Sequence, residues 1–366
     1  MNNHVTVLEI DGKALEHNLH YFKDKLHQKT KVLAVVKAFG YGSDGVQVAS
    51  FLSDKVNYFA VAYAHEGEAL RDADIATPIL VLHPQIKNFD QIVLNQLEPS
   101  IYNLKTLTAF LAYAKDKELI AYPIHLKFNT GLNRLGFSKE EIPSIMDSIR
   151  KSKHVKIKSI LSHLAASEDP KEQVFTLNQI SNFKKIIHEL CGGLNYTPMA
   201  HILNTSGVIN YPEAQFDMVR IGIGLYGFGN NKTETSHLKN SHVLKSTISQ
   251  IHLVKMEETV GYNRAFVAKK NTKIATIPIG HADGLSRKLG NGNGSVTILN
   301  QKALIVGNVC MDMIMVDVTD IKCKEGDDVF IFKTQEDILA ISSVSETISY
   351  EILTMISQRI KRTLVY

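Results

Sequence analysis

The sequence predicts an α/β protein: an N-terminal (β/α)8 TIM-type barrel followed by a smaller, mostly β C-terminal domain. Three observations carry that expectation. Short aliphatic, β-branched runs alternate with amphipathic helical stretches roughly eight times before residue 235, a rhythm that suits a barrel better than an open doubly wound sheet. Beyond residue 235, strand-like runs follow one another with no long helix between them. With 366 residues, the chain is long enough for two cores.

Residues 5–10 alternate as a short strand, and Asp11 is placed to cap a helix with Leu15, Leu19, Phe22 and Leu26 on one side. The run 31–36 reads as a strand buried on both faces. After Gly40 and Gly42, a helix is expected over 46–52 and a strand over 58–63. The alternation continues with helices over 66–71, 89–94, 104–114, 140–150 and 176–190. The intervening strands fall at 79–82, 99–102, 124–128, 157–163, 200–204 and 218–221. Residues 229–235 (Gly-Asn-Asn-Lys-Thr-Glu-Thr) read as a linker, which divides the chain into a barrel of 11–235 and a β-rich unit of 236–366 plus 1–10. In the second unit, strands are expected over 244–254, 273–279, 296–299, 303–306, 313–318 and 328–332. A hairpin turn is expected at 290–294, and a final helix over 349–361.

Composition excludes several classes. The net charge is only +4, and no Lys/Arg block interleaves with aromatics as in a nucleic-acid groove. Cys191, Cys310 and Cys323 are too scattered for a disulfide framework, and no pair has zinc-ligand spacing, so no metal is expected. Residues 1–4 lack a signal-peptide layout and no apolar stretch approaches a membrane span. A cytoplasmic protein with no membrane partner is the expectation.

Barrel active sites form at the C-terminal ends of the strands. Lys37 ends the run Val32-Leu33-Ala34-Val35-Val36 and is followed by Gly40-Tyr41-Gly42. A lysine there pairs with a carboxylate, reaches solvent, or is held desolvated for Schiff-base chemistry. Other strand ends carry Lys127, a loop with Arg134, Ser162-His163, Asn204-Thr205-Ser206-Gly207 and Arg220-Ile221-Gly222-Ile223-Gly224. A hydroxyl at a helix start beside glycine amides is the phosphate cradle of this fold. Singly, His163 fits a satisfied core histidine and Arg220 fits a pair with Asp217. Together, an amine beside a phosphate site calls for pyridoxal phosphate.

The chain resembles bacterial alanine racemases along nearly its whole length. The matching blocks are Ala34-Val35-Val36-Lys37-Ala38 with Tyr41-Gly42; Lys127-Phe128-Asn129-Thr130-Gly131 with Arg134-Leu135-Gly136; Arg220-Ile221-Gly222 with Tyr226-Gly227; Val260-Gly261-Tyr262; and Val309-Cys310-Met311-Asp312. The resemblance implies that Lys37 holds pyridoxal phosphate as an aldimine and serves as one catalytic acid/base. Tyr262, supplied by the partner subunit of a homodimer with shared active sites, is the other. It implies phosphate binding by Tyr41, Thr205, Gly222, Ile223 and Tyr350, a further cofactor contact from Asn204, and Arg220 facing the pyridine nitrogen. It further implies that Arg134 and the Met311 backbone hold the substrate carboxylate, and that His163 links Tyr262 to Arg220. In some relatives the lysine matching Lys127 is carbamylated. The implied activity is interconversion of L- and D-alanine for cell-wall precursors.

The chain departs from the family pattern in places. Phe39-Gly40 stands where Asn-Ala is common, Ser43-Asp44 where His-Gly is usual, and Asn129 where aspartate is frequent. Thr205 replaces a frequent serine but keeps the hydroxyl, and His281 replaces a tyrosine that lines the substrate entrance in relatives. The His281 change keeps open a broader racemase acting on serine or other small amino acids. A pyridoxal phosphate homeostasis protein is the non-catalytic alternative, although such relatives lack the β domain. A related decarboxylase usually has glutamate where Arg220 stands.

Overall fold

The computed structural model describes residues 4–366; of the segment read for a leader and of the 1–10 strand region, residues 1–3 lie outside the described residues. The first strand, β1 (Val7–Asp11), is followed by eight that form one parallel sheet. They are β2 (Lys31–Val35), β3 (Tyr58–Val61), β4 (Ile79–Val81), β5 (Glu98–Ile101), β6 (Tyr122–Lys127), β7 (Val155–Leu161), β8 (Met199–His201) and β9 (Met218–Ile221). The sheet order is β8-β7-β6-β5-β4-β3-β2-β9. Its two outer strands meet through the Asp217 and Arg220 amides, which donate to the Ala200 and Leu203 carbonyls at 3.0 Å each, so the barrel closes. Strand sequences such as Val32-Leu33-Ala34-Val35 are buried on both faces because helices cover the outside and side chains fill the inside.

Those helices form where the sequence supplies an apolar stripe and a cap. Gly12–Lys23 starts under Asp11, whose carboxylate accepts from the Ala14 amide, and buries Leu15, Leu19 and Phe22. Leu104–Asp116 starts under Asn103 in the same way.

Ten further strands follow: β10 (His242–Thr247), β11 (Gln250–Val254), β12 (Thr259–Val260), β13 (Phe266–Val267), β14 (Thr272–Ile277), β15 (Ser295–Ile298), β16 (Gln301–Val306), β17 (Ile314–Asp317), β18 (Asp328–Phe332) and β19 (Lys361–Val365). With β1 they make a nine-stranded sheet, β11-β14-β17-β16-β15-β18-β10-β1-β19, while β12 and β13 pair separately. The barrel is therefore inserted between two strands, β1 and β10, that are antiparallel neighbours in the other sheet.

Four sequence expectations are corrected. The run 244–254 is two strands, because the chain crosses over at Ile248 and Ser249, whose amides bond Asp327 and Thr276. The final helix stops at Thr354, and Lys361–Val365 instead pairs in parallel with β1. Residues 290–294 are not the hairpin turn; β15 and β16 are joined at Leu299 and Asn300, which take φ of 47° and 62°. The 229–235 segment is no loose linker but a packed turn around Glu234, which is 2% exposed.

Candidate active site

At the C-terminal ends of the barrel strands lies a cavity of about 640 Å³. Lys37, Tyr41, Lys127, Arg134, His163, Asn204, Thr205, Arg220, Gly222, Ile223 and Tyr350 all line it. The structure thus brings together every sequence-selected site residue except Tyr262 and Met311. Those two are 74% and 59% exposed on the β-rich part of the chain, outside the cavity lining.

Lys37 is presented by an uncommon backbone. Ala38, Phe39, Gly40 and Tyr41 take φ between 53° and 61°, a left-handed turn that L-residues hold only against resistance. Neighbours pin it. The Glu66 carboxylate accepts from the Ala38 amide at 2.7 Å and from the Ala62 amide at 2.6 Å. Arg362 donates to the Gly42 carbonyl at 2.9 Å, with its guanidinium 5.1 Å from the Phe39 ring centroid. Gly42 has φ of 84°, and a Cβ there would meet the Leu353 carbonyl oxygen at 2.0 Å, so only glycine fits. Burial and then the Arg134 charge hold the Lys37 amine below its ordinary pKa, while Glu66 opposes them.

The phosphate-type corner is built from three segments. Asn204 caps the turn Thr205–Asn210 by accepting from the Gly207 amide at 2.9 Å. The Thr205 hydroxyl accepts from the Gly222 and Gly224 amides, both at 3.3 Å. Tyr41 packs against Tyr226 with ring centroids 4.8 Å apart and planes tilted by 31°, and its hydroxyl occupies the space a Cβ on Gly222 would need. Burial raises the Tyr41 phenol well above its usual range. The Tyr350 hydroxyl donates to Asn230 Oδ1 at 3.0 Å. Asn230 is a lining residue that the sequence does not reveal, because its polar surroundings read as a linker. Behind it, the Glu234 carboxylate accepts from Ser206 Oγ at 2.8 Å and the Asn230 amide at 2.9 Å.

Arg220 is held by neutral acceptors. Its guanidinium donates to His201 Nδ1 at 2.7 Å, His163 Nδ1 at 3.1 Å, and the Ser162, Ile202 and His201 carbonyls at 2.6, 2.9 and 3.2 Å. It does not pair with Asp217, whose carboxylate caps the Ala200 amide. Burial lowers Arg220 to about 10, which leaves it cationic at neutral pH. Burial, then Arg220, pushes both His163 and His201 well below the usual imidazole range. They are neutral acceptors, which is what a guanidinium that only donates requires.

On the opposite side, Lys127 is buried and its pKa falls to about 8 through desolvation and the charges of Arg134, Arg220 and Lys37. Arg134 rides a loop shaped by Asn129, whose Oδ1 accepts from the Gly131 and Asn133 amides at 3.1 and 2.9 Å. An amine of lowered pKa, a hydroxyl-and-amide corner and two arginines around one cavity can bind an anionic carbonyl compound and move protons at a carbon beside it. Among the described residues no cluster of three metal-ligating side chains occurs, and no helix is long and apolar enough to cross a membrane.

Comparisons with known proteins match this arrangement. The alanine racemase N-terminal domain family matches residues 10–229 and the C-terminal domain family matches 242–364. The chain is similar to alanine racemase 2 of Oceanobacillus iheyensis, 36% identical over 98% of this chain and 92% of that protein. It is 34% identical to the alanine racemase of Fusobacterium nucleatum over 98% of this chain and 99% of that one. A solved alanine racemase of Clostridium difficile superposes with TM-score 0.94 at 31% identity, covering 100% of this chain and 97% of that one. That of Bartonella henselae, with covalently bound pyridoxal phosphate, gives 0.87 at 28% identity, covering 99% and 100%.

Proposed function

The chain belongs to the alanine racemase family, and on that premise we propose that it interconverts L- and D-alanine with pyridoxal phosphate held on Lys37. The observation that carries the reading is the convergence of the Lys37 amine, the Tyr41–Thr205–Gly222 corner and the Arg220 cation in one cavity. These residues fit the cofactor: the corner is tight enough that a Cβ on Gly222 would fill it, and Arg220 spends its donors on neutral partners only. Pyridoxal phosphate supplies a carbonyl for amine condensation and a ring that acidifies the substrate α-carbon.

The side chains do the rest. Lys37, with its lowered pKa, offers a free amine for attachment and then takes or gives a proton on one face of the α-carbon. Tyr41, kept protonated by burial, is a neutral donor suited to a phosphate oxygen, alongside Thr205, Gly222, Ile223 and Tyr350, with Asn204 beside them in the cofactor site. Arg220 stays cationic and does not readily yield a proton to the ring nitrogen. The ring's electron pull is thereby restrained, and transamination is disfavoured. Arg134 and the Met311 backbone hold the substrate carboxylate. Tyr262 exchanges the proton on the opposite face.

Tyr262 and Met311 lie outside their own chain's cavity, which supports a homodimer whose partner completes each site. The same reading divides the chain into a barrel of 11–235 and a β-rich remainder, places it in the cytoplasm and gives it the supply of D-alanine for cell-wall precursors. Lys127 is the candidate for carbamylation. With a pKa of about 8, part of the amine is free to add CO2 and release a proton, and a carbamate carbon signal after 13C-bicarbonate labelling is the expected readout.

The deciding experiment gives purified protein L-alanine, with and without pyridoxal phosphate, and measures D-alanine with a D-specific assay. Cofactor-dependent D-alanine is expected; none, despite cofactor trapped on Lys37 by borohydride, refutes alanine as the substrate. A second reading, a broader racemase, is favoured by His281. Its turn is bonded to the Met311 segment through the His281 and Ala282 amides, at 2.9 and 3.0 Å from the Cys310 and Met311 carbonyls. Rates on alanine, serine, lysine and arginine separate the two.

A further inference from the structure

Five adjacent barrel strands each contribute one buried polar side chain to a single connected row: Glu98 on β5, His125 on β6, Ser159 on β7, His201 on β8 and Arg220 on β9. The links are Arg220 to His201 Nδ1 at 2.7 Å, His201 Nε2 to Ser159 Oγ at 2.9 Å, Ser159 Oγ to His125 Nδ1 at 2.6 Å and His125 Nε2 to Glu98 Oε2 at 2.7 Å. His125 and Ser159 are register partners, while Glu98 and His201 are each two residues from the strict partner position. That offset is the stagger tilted strands impose on a layer across a barrel.

The two ends of the row fix its direction. A guanidinium only donates and a carboxylate only accepts, so the amphoteric groups between them orient one way. His201 accepts at Nδ1 and therefore carries its proton on Nε2, which donates to Ser159. Ser159 then donates to His125 Nδ1, and His125 donates from Nε2 to Glu98. Turning His201 round would set an N–H against an Arg220 N–H at 2.7 Å. Arg220 has no carboxylate among its hydrogen-bond partners within the described residues, and Glu98 sits 8% exposed in the barrel wall. Glu98 also meets the Tyr58 hydroxyl and the charge of Arg71, and the polarised row adds Arg220, which has no carboxylate of its own, to the charges it helps to offset.

We propose that Glu98, through Ser159 and the two histidines, is the positioning counter-charge of Arg220, fixing the tautomers that aim its guanidinium into the cofactor cavity. The proposal rests on the assignment of Arg220 to the cofactor ring. Ser159→Ala cuts the row in the middle. Glu98→Gln keeps an acceptor for His125 and removes only the charge, so it serves where the serine variant fails to fold.

The test uses histidine-15N NMR, the absorption band of the bound cofactor, and kcat and KM for alanine, all on the cofactor-loaded enzyme. Expected are Nε2–H tautomers for His125 and His201 in the unmodified protein, and changed His201 nitrogen shifts in Ser159→Ala. The cofactor band should shift in both variants, and kcat should fall about tenfold through the weakened hold on the Arg220 guanidinium, with KM moving less than twofold. A proton on His201 Nδ1 in the unmodified protein overturns the proposal. So does an unshifted cofactor band with unchanged kcat in the folded variants. If the unmodified protein racemises nothing, the function reading fails, while tautomers and cofactor band still decide this one.

Discussion

Gly222→Ala tests whether the Tyr41 corner is as closely fitted as its geometry says. A Cβ at Gly222 lies 2.5 Å from the Tyr41 hydroxyl oxygen and 3.4 Å from Cζ. Ordinary contact begins near 3.4 Å, so the hydroxyl must retreat by about 0.9 Å. The ring has little room to do so. Tyr41 is 8% exposed, packed on Tyr226 at 4.8 Å and facing Tyr350 at 6.1 Å between centroids. Overpacking of this kind costs about 1–3 kcal/mol. Carried by the bound state alone, that weakens cofactor binding about 5- to 150-fold. Carried by the fold, it appears as a lowered melting temperature instead. Cofactor titration followed by absorbance, together with thermal unfolding of the apoprotein, measures both routes. An alanine variant with unchanged cofactor affinity and unchanged melting refutes the reasoning.

Three further outcomes are expected. Glu66→Gln removes the one charge that raises the Lys37 pKa, so cofactor capture by the apoprotein should extend to lower pH; an unmoved pH profile counts against the assignment. His242 is buried between Ser43 and Ser241 hydroxyls, and burial, then Arg362, depresses its pKa to about 3. Its folded-state pKa lies below the unfolded value, so its contribution to stability is complete above about pH 6.5 and shrinks by about 1.4 kcal/mol per unit as pH falls from there toward 3. Urea midpoints across that window should fall less steeply in His242→Gln, and parallel slopes contradict the linkage. Finally, Tyr262→Phe and Lys37→Ala should each be inactive alone yet regain activity when dissociated and mixed, because a hybrid dimer rebuilds one intact site; no recovery argues against shared sites.

What the sequence made legible was set by distance along the chain. Lys37, His163, Thr205 and Arg220 each end a buried run, and the ends of barrel strands share one mouth whatever the register. His125 and Ser159 sit inside their strands and Glu98 opens its own, away from the strand ends that form the mouth, so each has meaning only once five strands are laid side by side. The same limit hid β19. Lys361–Val365 is a strand because it pairs with Val7–Asp11 from the far end of the chain, and no local pattern records that pairing. Residues 229–235 misled in the opposite way. A polar, asparagine-rich stretch ordinarily signals solvent, but Glu234 turns inward because Ser206, Asn210 and the Asn230 and Glu234 backbone supply partners for its carboxylate and its turn.

The Phe39-Gly40 departure gains a physical account from the same structure. The turn after Lys37 holds five successive left-handed residues, Ala38 to Gly42, three of them bearing a Cβ, so its geometry is imposed from outside rather than chosen by the residues. Glu66 fixes the amide at its start, and Arg362 fixes the carbonyl at its end. The same arginine stacks on the Phe39 ring while donating to the Ser357, Ile356 and Ile360 carbonyls. Phe39 therefore joins the turn that aims Lys37 to β19, where Arg362 resides, and β19 pairs with β1. A smaller polar residue at position 39 gives up that cation–π contact, worth about 0.5–2 kcal/mol. The aromatic residue thus adds a tie between the two sheets, and the lysine's aim becomes a property of how the barrel sits on the strands that flank it.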